Sequence, residues 1–245
     1  MTASQTSRAI RILGLVLLMV GVPHGAPAAP TDSTGVNAGR AAFHVRFGDT
    51  KITHRIMAVP IMPDTTVGVA VEPGRTTSNG YRLKTEPALS TDRRSGSSWH
   101  VSIPSEPGLY PLRVTDTTSS ATVRIQVFVL SPWDHEGQRL NGYRIGSYEM
   151  TPRSGRAVYE PPEGFVKVTT ENKDVLVSPH FRLEQFLCKQ TDDTPQYALL
   201  RPRLLRHLEQ VLAAVNARGH DVSTLHVMSG YRTPYYNRAI GNTTE

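Results

Sequence analysis

The chain has 245 residues, a formal net charge of +6, 38% apolar and 20% charged residues, and one cysteine. Those fractions are ordinary for a folded globular protein and exclude a wholly disordered chain. The lone cysteine, Cys188, excludes an intramolecular disulfide, so packed cores must hold the fold. The basic excess has no dense Lys/Arg run and no interleaved aromatics. It argues against a nucleic-acid partner and suits anionic wall polymers or lipid headgroups.

Residues 1–28 have the three parts of a secretory signal peptide. Arg8 and Arg11 form a positive start, Ile12 to Val22 is almost unbroken apolar chain, and Ala26-Pro27-Ala28 supplies small residues for cleavage after Ala28. The apolar run falls short of the ~20 residues that span a bilayer, which favours a cleaved leader over a retained anchor. No later stretch is apolar enough to span. The expected mature protein is exported, periplasmic or in the cell envelope, with no transmembrane segment after cleavage. Residues 29–39, rich in Pro, Thr, Ser and Gly, read as a flexible linker.

From 40 to 131 the pattern has period two. Val67, Val69 and Val71 share a side, as do Trp99, Val101 and Ile103, then Tyr110, Leu112 and Val114, then Val123, Ile125, Val127 and Val129. Turn clusters separate these runs: Glu72-Pro73-Gly74-Arg75, Ser78-Asn79-Gly80, Arg94-Ser95-Gly96-Ser97 and Glu106-Pro107-Gly108. Short alternating strands with no helix among them predict a β-sandwich of about 90 residues. The stretch Pro107 to Val114 resembles the strand after a tight turn in immunoglobulin-like bacterial domains.

Residues 132–177 are Pro-, Gly- and Tyr-rich and read as an ordered connector. It holds a turn at Asn141-Gly142 and one strand through Phe165, Val166 and Val168. From 178 the period becomes helical. Ser178-Pro179 is expected to start a short helix through Phe181, Leu183, Phe186 and Leu187. A longer helix is expected from Pro202 to Ala217, with Leu204, Leu205, Leu208, Val211, Leu212 and Val215 on one face and Gly219 closing it. Thr224 to Met228 reads as a short strand. Thr233-Pro234 opens a last helix through Asn237 and Ile240.

The run His226-Val227-Met228-Ser229-Gly230-Tyr231-Arg232-Thr233-Pro234-Tyr235-Tyr236-Asn237 resembles the core of zinc D-alanyl-D-alanine carboxypeptidase-like proteins. More narrowly, it resembles their exported cell-wall branch with a C-terminal catalytic domain. Val177 to Phe181, Gln185 to Gln190 and Leu200 to Leu205 are similar to further segments of that branch. The resemblance covers roughly Leu140 to Glu245 and leaves the sandwich outside the catalytic fold. It implies an α+β protein: an N-terminal immunoglobulin-like β-sandwich, then over 178–245 the first part of a zinc D-Ala-D-Ala carboxypeptidase-like domain.

In such enzymes the arginine after the strand faces the metal-bound substrate, and by position this is Arg232. A forked guanidinium can hold a peptide carboxylate or stabilise charge on a tetrahedral intermediate. The plainer alternative pairs Arg232 with a backbone group or surface carboxylate. Tyr231, Ser229 and Asn237 stand as substrate-binding candidates. Ser229 and Asn237 also suit hydrogen bonds that hold the turn, and Tyr231 either lines a cleft or packs in the core. The family pattern continues with Ser-x-His-x-x-Gly-x-Ala-x-Asp, whose His and Asp bind zinc, and the chain stops before it. No metal ligand is therefore assigned here; zinc is expected for the full-length protein, whose ligands lie beyond Glu245.

The other residues offer no substitute set. The nine histidines include no pair with close helical spacing and a nearby carboxylate, so each reads as exposed or packed. Cys188 lies in the apolar run Phe186-Leu187-Cys188 and reads as a buried thiol; a nucleophile would need a histidine facing it. The expected function is an exported cell-wall metallopeptidase acting on peptidoglycan peptides. The rival from another class is a non-catalytic envelope protein that binds peptidoglycan or a protein partner through the sandwich. N-terminal sequencing of exported protein should give a start at or near Ala29; an intact Met1 on membrane-bound material would overturn cleavage.

Overall fold

The computed structural model describes residues 39–72, 80–135, 137–148, 161–190 and 195–241. The leader, nearly all of the linker and the turns expected across 73–79 lie outside the described residues. The architecture is sheet-rich α+β. Alternating sequence gives β1 (Arg40–Phe47), β2 (Thr50–His54), β3 (Ile56–Ile61), β4 (Thr66–Glu72), β5 (Tyr81–Thr85), β6 (Ser90–Ser95), β7 (Ser98–Ser102), β8 (Gly108–Asp116) and β9 (Thr122–Val129).

These strands sort into two sheets, ordered β2-β1-β4-β7-β6 and β3-β9-β8-β5. Within them the pairings are antiparallel except β3 with β9, which is parallel. Every second side chain enters a shared core: Val45, Phe47, Val69, Trp99 and Val101 from the first sheet, Met57, Leu112, Val114, Ile125 and Val127 from the second. Each such burial contributes about 1.5–3 kcal/mol for a large aliphatic side chain.

The alternation fails at the end of β9, where Ile125 through Val129 are all buried. Gln126 and Phe128 point away from the sandwich core yet are covered, because the C-terminal region lies on that face. Its parts are β14 (Leu176–Ser178), β15 (Phe181–Arg182), a 3-10 turn (Leu183–Phe186) and α1 (Pro202–Asn216). Strand β14 and helix α1 pack on β3. Gln126 Nε2 donates to Leu176 O at 3.4 Å across the junction.

The remaining strands are β10 (Ser131–Pro132), β11 (Arg139–Leu140), β12 (Tyr143–Arg144), β13 (Gly164–Val168) and β16 (Gln196–Ala198). Strands β10, β13 and β16 form one small sheet and β11 with β12 another. The β11–β12 hairpin turns through Asn141 at φ 47° and Gly142 at φ 90°, the left-handed pair that a two-residue hairpin needs. A second core gathers Trp133, Leu140, Tyr143, Ile145, Phe165 and Tyr197. The last element is α2 (Pro234–Ala239). Among the described residues no helix is long and apolar enough to cross a membrane.

Three local expectations are corrected. The helix expected from Ser178 is the β14–β15 hairpin followed by a 3-10 turn: Pro179 sits in a tight reversal, and its fixed φ serves that turn as well as a helix start. Thr224 to Met228 forms no strand, since no neighbouring chain among the described residues offers it a ladder. The apolar face of α1 is only half covered: Leu205 and Leu212 are buried, whereas Leu204 is 43% and Val211 51% exposed. The side that packs includes Glu209, whose carboxylate finds partners there. Leu205→Ala should therefore cost about 2–5 kcal/mol in a denaturant melt. Leu204→Ala should cost under about 1 kcal/mol, and equal losses would mean that the helix is rotated from this position.

Candidate functional site

The segment from Ser229 to Thr233 is shaped by what lies beneath it. Tyr231 donates its backbone N–H to Phe186 O at 3.0 Å. Gly230 passes so close to the 3-10 turn that a Cβ there would stand 2.6 Å from Phe186 Cα, a backbone clash. Thr233 is fully buried; its Oγ1 donates to Gln190 Oε1 at 2.8 Å and accepts from Tyr236 N at 3.0 Å, capping α2. Gln190 in turn donates to Arg144 O at 3.1 Å.

The β12 end grips the same helix. Tyr235 N donates to Ile145 O at 3.0 Å, and the Arg144 guanidinium lies 4.0 Å over the Tyr235 ring. Gly146, at φ 89°, lets Tyr235 approach; a Cβ would fall 2.6 Å from its nitrogen.

On this frame Arg232 is exposed, and its Nε donates to Ser229 Oγ at 2.6 Å. Among the described residues its two terminal nitrogens have no partner. Tyr231 turns inward instead. Its hydroxyl shares a 2.9 Å hydrogen bond with Tyr148, and its ring lies 5.8 Å from that of Phe165. Burial, then the neighbouring Tyr148, pushes the Tyr231 phenol well above its ordinary value. Burial raises Tyr148 to about 12. Both phenols stay protonated through neutral pH and cannot serve as bases there. Asn237 rides on α2, half-buried, with its backbone N–H on Thr233 O at 2.9 Å. The fold thus brings Ser229 and Arg232 together and turns the Tyr231 ring away from them.

A cleft of about 410 Å³ opens between the 3-10 turn and the Thr224–Met228 segment. Glu184, Gln185, Cys188, Gln190, His226 and Met228 line it, and none of the four candidates does. Among the described residues no group of three or more His, Cys, Asp or Glu side chains is placed to hold a metal.

Sequence reading missed one polar cluster. Glu209, its side chain only 2% exposed, accepts from Ser178 Oγ at 2.6 Å and from His180 N at 3.0 Å, and contacts His180 Nδ1 at 2.6 Å. Burial pushes the Glu209 carboxyl up, but the bonds from His180 and Ser178 outweigh it and hold the carboxyl below its ordinary value. His54, buried nearby, is held below 6.5 by its burial; the Glu209 charge raises it, and Arg40, His180 and Arg206 lower it. An acidic residue inside a helix reads as solvent-facing in sequence, so nothing announced the pair.

The folded state therefore binds fewer protons at His54 than the unfolded chain does. Its contribution is complete above about pH 6.5 and is lost as pH falls through the depressed folded value. Urea melts should show stability dropping by at most about 1.4 kcal/mol per pH unit below 6.5 from this residue, and His54→Gln should remove that slope. Glu209→Gln, which spoils a buried charge-assisted cluster, should cost about 2 kcal/mol or more at pH 7. A neutral result there would mean that the cluster is not formed in solution.

No family model matches the chain, and no curated protein matches it. Among solved structures, the titin M3 domain is similar over 36% of this chain and 97% of that domain, at 12% identity and a TM-score of 0.22, too slight a likeness to bear on the fold.

Proposed function

We propose that this chain is the leader, sandwich and first part of the catalytic domain of an exported cell-wall metallopeptidase-like protein. The full-length protein would hydrolyse D-Ala-containing peptide bonds of peptidoglycan. The sandwich is read as immunoglobulin-like from its two facing sheets of short, mostly antiparallel strands and from the Pro107 to Val114 stretch. The C-terminal region is read as zinc D-Ala-D-Ala carboxypeptidase-like from the Ser229-Gly230-Tyr231-Arg232 run and the segments before it.

The observation that carries the reading is the state of Arg232. Its guanidinium stands exposed on a braced turn, with Nε fixed by Ser229 and the terminal nitrogens unengaged among the described residues. That fork suits the carboxylate of a substrate peptide or charge developing on a cleaved carbonyl. Zinc would supply an activated water in the full-length protein. The described residues do not provide a set that fits the ion, so no step here runs through it. What this chain contributes is anion recognition at Arg232, held by Ser229, Gly230 and Thr233.

In the full-length protein, Arg232→Lys keeps the charge and loses the planar fork. If the fork meets developing negative charge, kcat should fall by roughly 10²-fold or more. If it only captures the substrate carboxylate, KM should rise while kcat holds. Should Arg232→Ala leave both constants within about twofold on a D-alanyl-D-alanine peptide, Arg232 has a structural role and the reading fails.

A further inference from the structure

The outward face of the second sheet carries a row of unneutralised cations. Alternation sends Lys84 of β5, Arg113 of β8 and Arg124 of β9 to one side, while Leu112, Val114, Val123 and Ile125 enter the core. Register sets Lys84 opposite Arg113 and Arg113 opposite Arg124. Adjacent strands lie about 4.8 Å apart, so three positive charges stand within about 10 Å along the row. Like charges directly opposite one another are unfavourable in a sheet. Among the described residues no ion pair or hydrogen bond engages these three side chains.

A cleft of about 400 Å³ opens over the row, where the C-terminal region stops covering the sheet. Its lining includes Lys84, Arg113, Arg124, Gln126 and Val175, with Glu86 as its acidic residue. Gln126 is 5% exposed. Its amide nitrogen is committed to Leu176 O, and its Oε1 is buried without a partner. A buried acceptor lacking a donor is costly, and a ligand hydroxyl would satisfy it.

We propose that this cleft binds an anionic saccharide. The sugar's carboxylate or phosphate lies between Arg113 and Arg124, and a ring hydroxyl donates to Gln126 Oε1. Forked guanidiniums match either anion. The volume falls in the range of small-ligand pockets, about 300–1,000 Å³. The lining has no aromatic side chain on which a nucleobase could stack, which favours a sugar over single-stranded nucleic acid. The charged lining stands on the sandwich, with Val175 at its edge, and does not rest on the peptidase reading.

Calorimetric titration of the mature protein tests it, using a uronic-acid oligosaccharide, a hexose phosphate, the neutral oligosaccharide, inorganic phosphate and duplex DNA. The uronate or the hexose phosphate should bind, and the tighter of the two names the anion. Arg113→Gln should weaken that binding about tenfold with the melting temperature no lower, since Arg113 is exposed and faces only like charges across the strands. Raising salt from about 0.05 to 0.5 M should weaken it further. The proposal is overturned if neither charged sugar binds, or if the neutral sugar, phosphate alone or DNA binds as tightly. It is equally overturned if Arg113→Gln stays within about twofold of wild type.

Discussion

One buried carboxylate ties the C-terminal region together. Glu209 projects from α1 and receives Ser178, the His180 backbone and the His180 ring, all from the β14–β15 hairpin. Hairpin and helix both lie on β3, and the hairpin reaches β9 through the bond from Gln126 to Leu176 O. A charge with its side chain 2% exposed is tolerable only when every nearby donor is directed at it. The hairpin's own placement is therefore tied to the helix. The 3-10 turn follows the hairpin directly, and the Ser229–Arg232 turn rests on Phe186 within it. The chain of support runs from one ionic cluster to the exposed guanidinium.

That support is steric as well as polar. Gly230 and Gly146 sit where any side chain would strike backbone, at Phe186 and at Tyr235. They let α2 and its preceding turn lie flush against the layers below. The buried Thr233 hydroxyl then donates to Gln190, whose amide nitrogen passes on to Arg144 O, and this relay fills the polar gap. Arg232 is left as the projecting member of a rigid reversal, the usual way a loop residue gains a fixed orientation.

The strands were legible because each sheet has one core face, and alternation reports a single buried face well. Legibility ended where a second layer was added. Phe128 and Gln126 break the period at β9 for that reason. Pro179 reads equally as helix start or tight turn, and only pairing of Leu176 with Arg182 decides. Leu204 and Val211 extend an apolar stripe that the described residues do not cover. The Glu209 cluster and the Lys84–Arg113–Arg124 row were invisible for a shared reason: both depend on which distant residues become neighbours, and composition carries no register. Arg232 and Ser229 were found from a resemblance. Their separation from Tyr231 follows from the aromatic packing around Tyr148 and Phe165, which spacing alone does not give.

The parallel pairing of β3 with β9 sets an order of assembly. β1 and β2 can close a hairpin as soon as both exist, and β8 can do the same with β9. β3 has no such local partner: five strands are made between it and β9, its only ladder partner among the described residues. Until β9 is complete, β3 has no ladder partner on either edge among the described residues, and such edges invite pairing with another chain. Contacts of such long sequence separation also slow folding, because a large loop must close before they form. The strand that later supports the whole C-terminal layer is thus among the last of the sandwich to be secured.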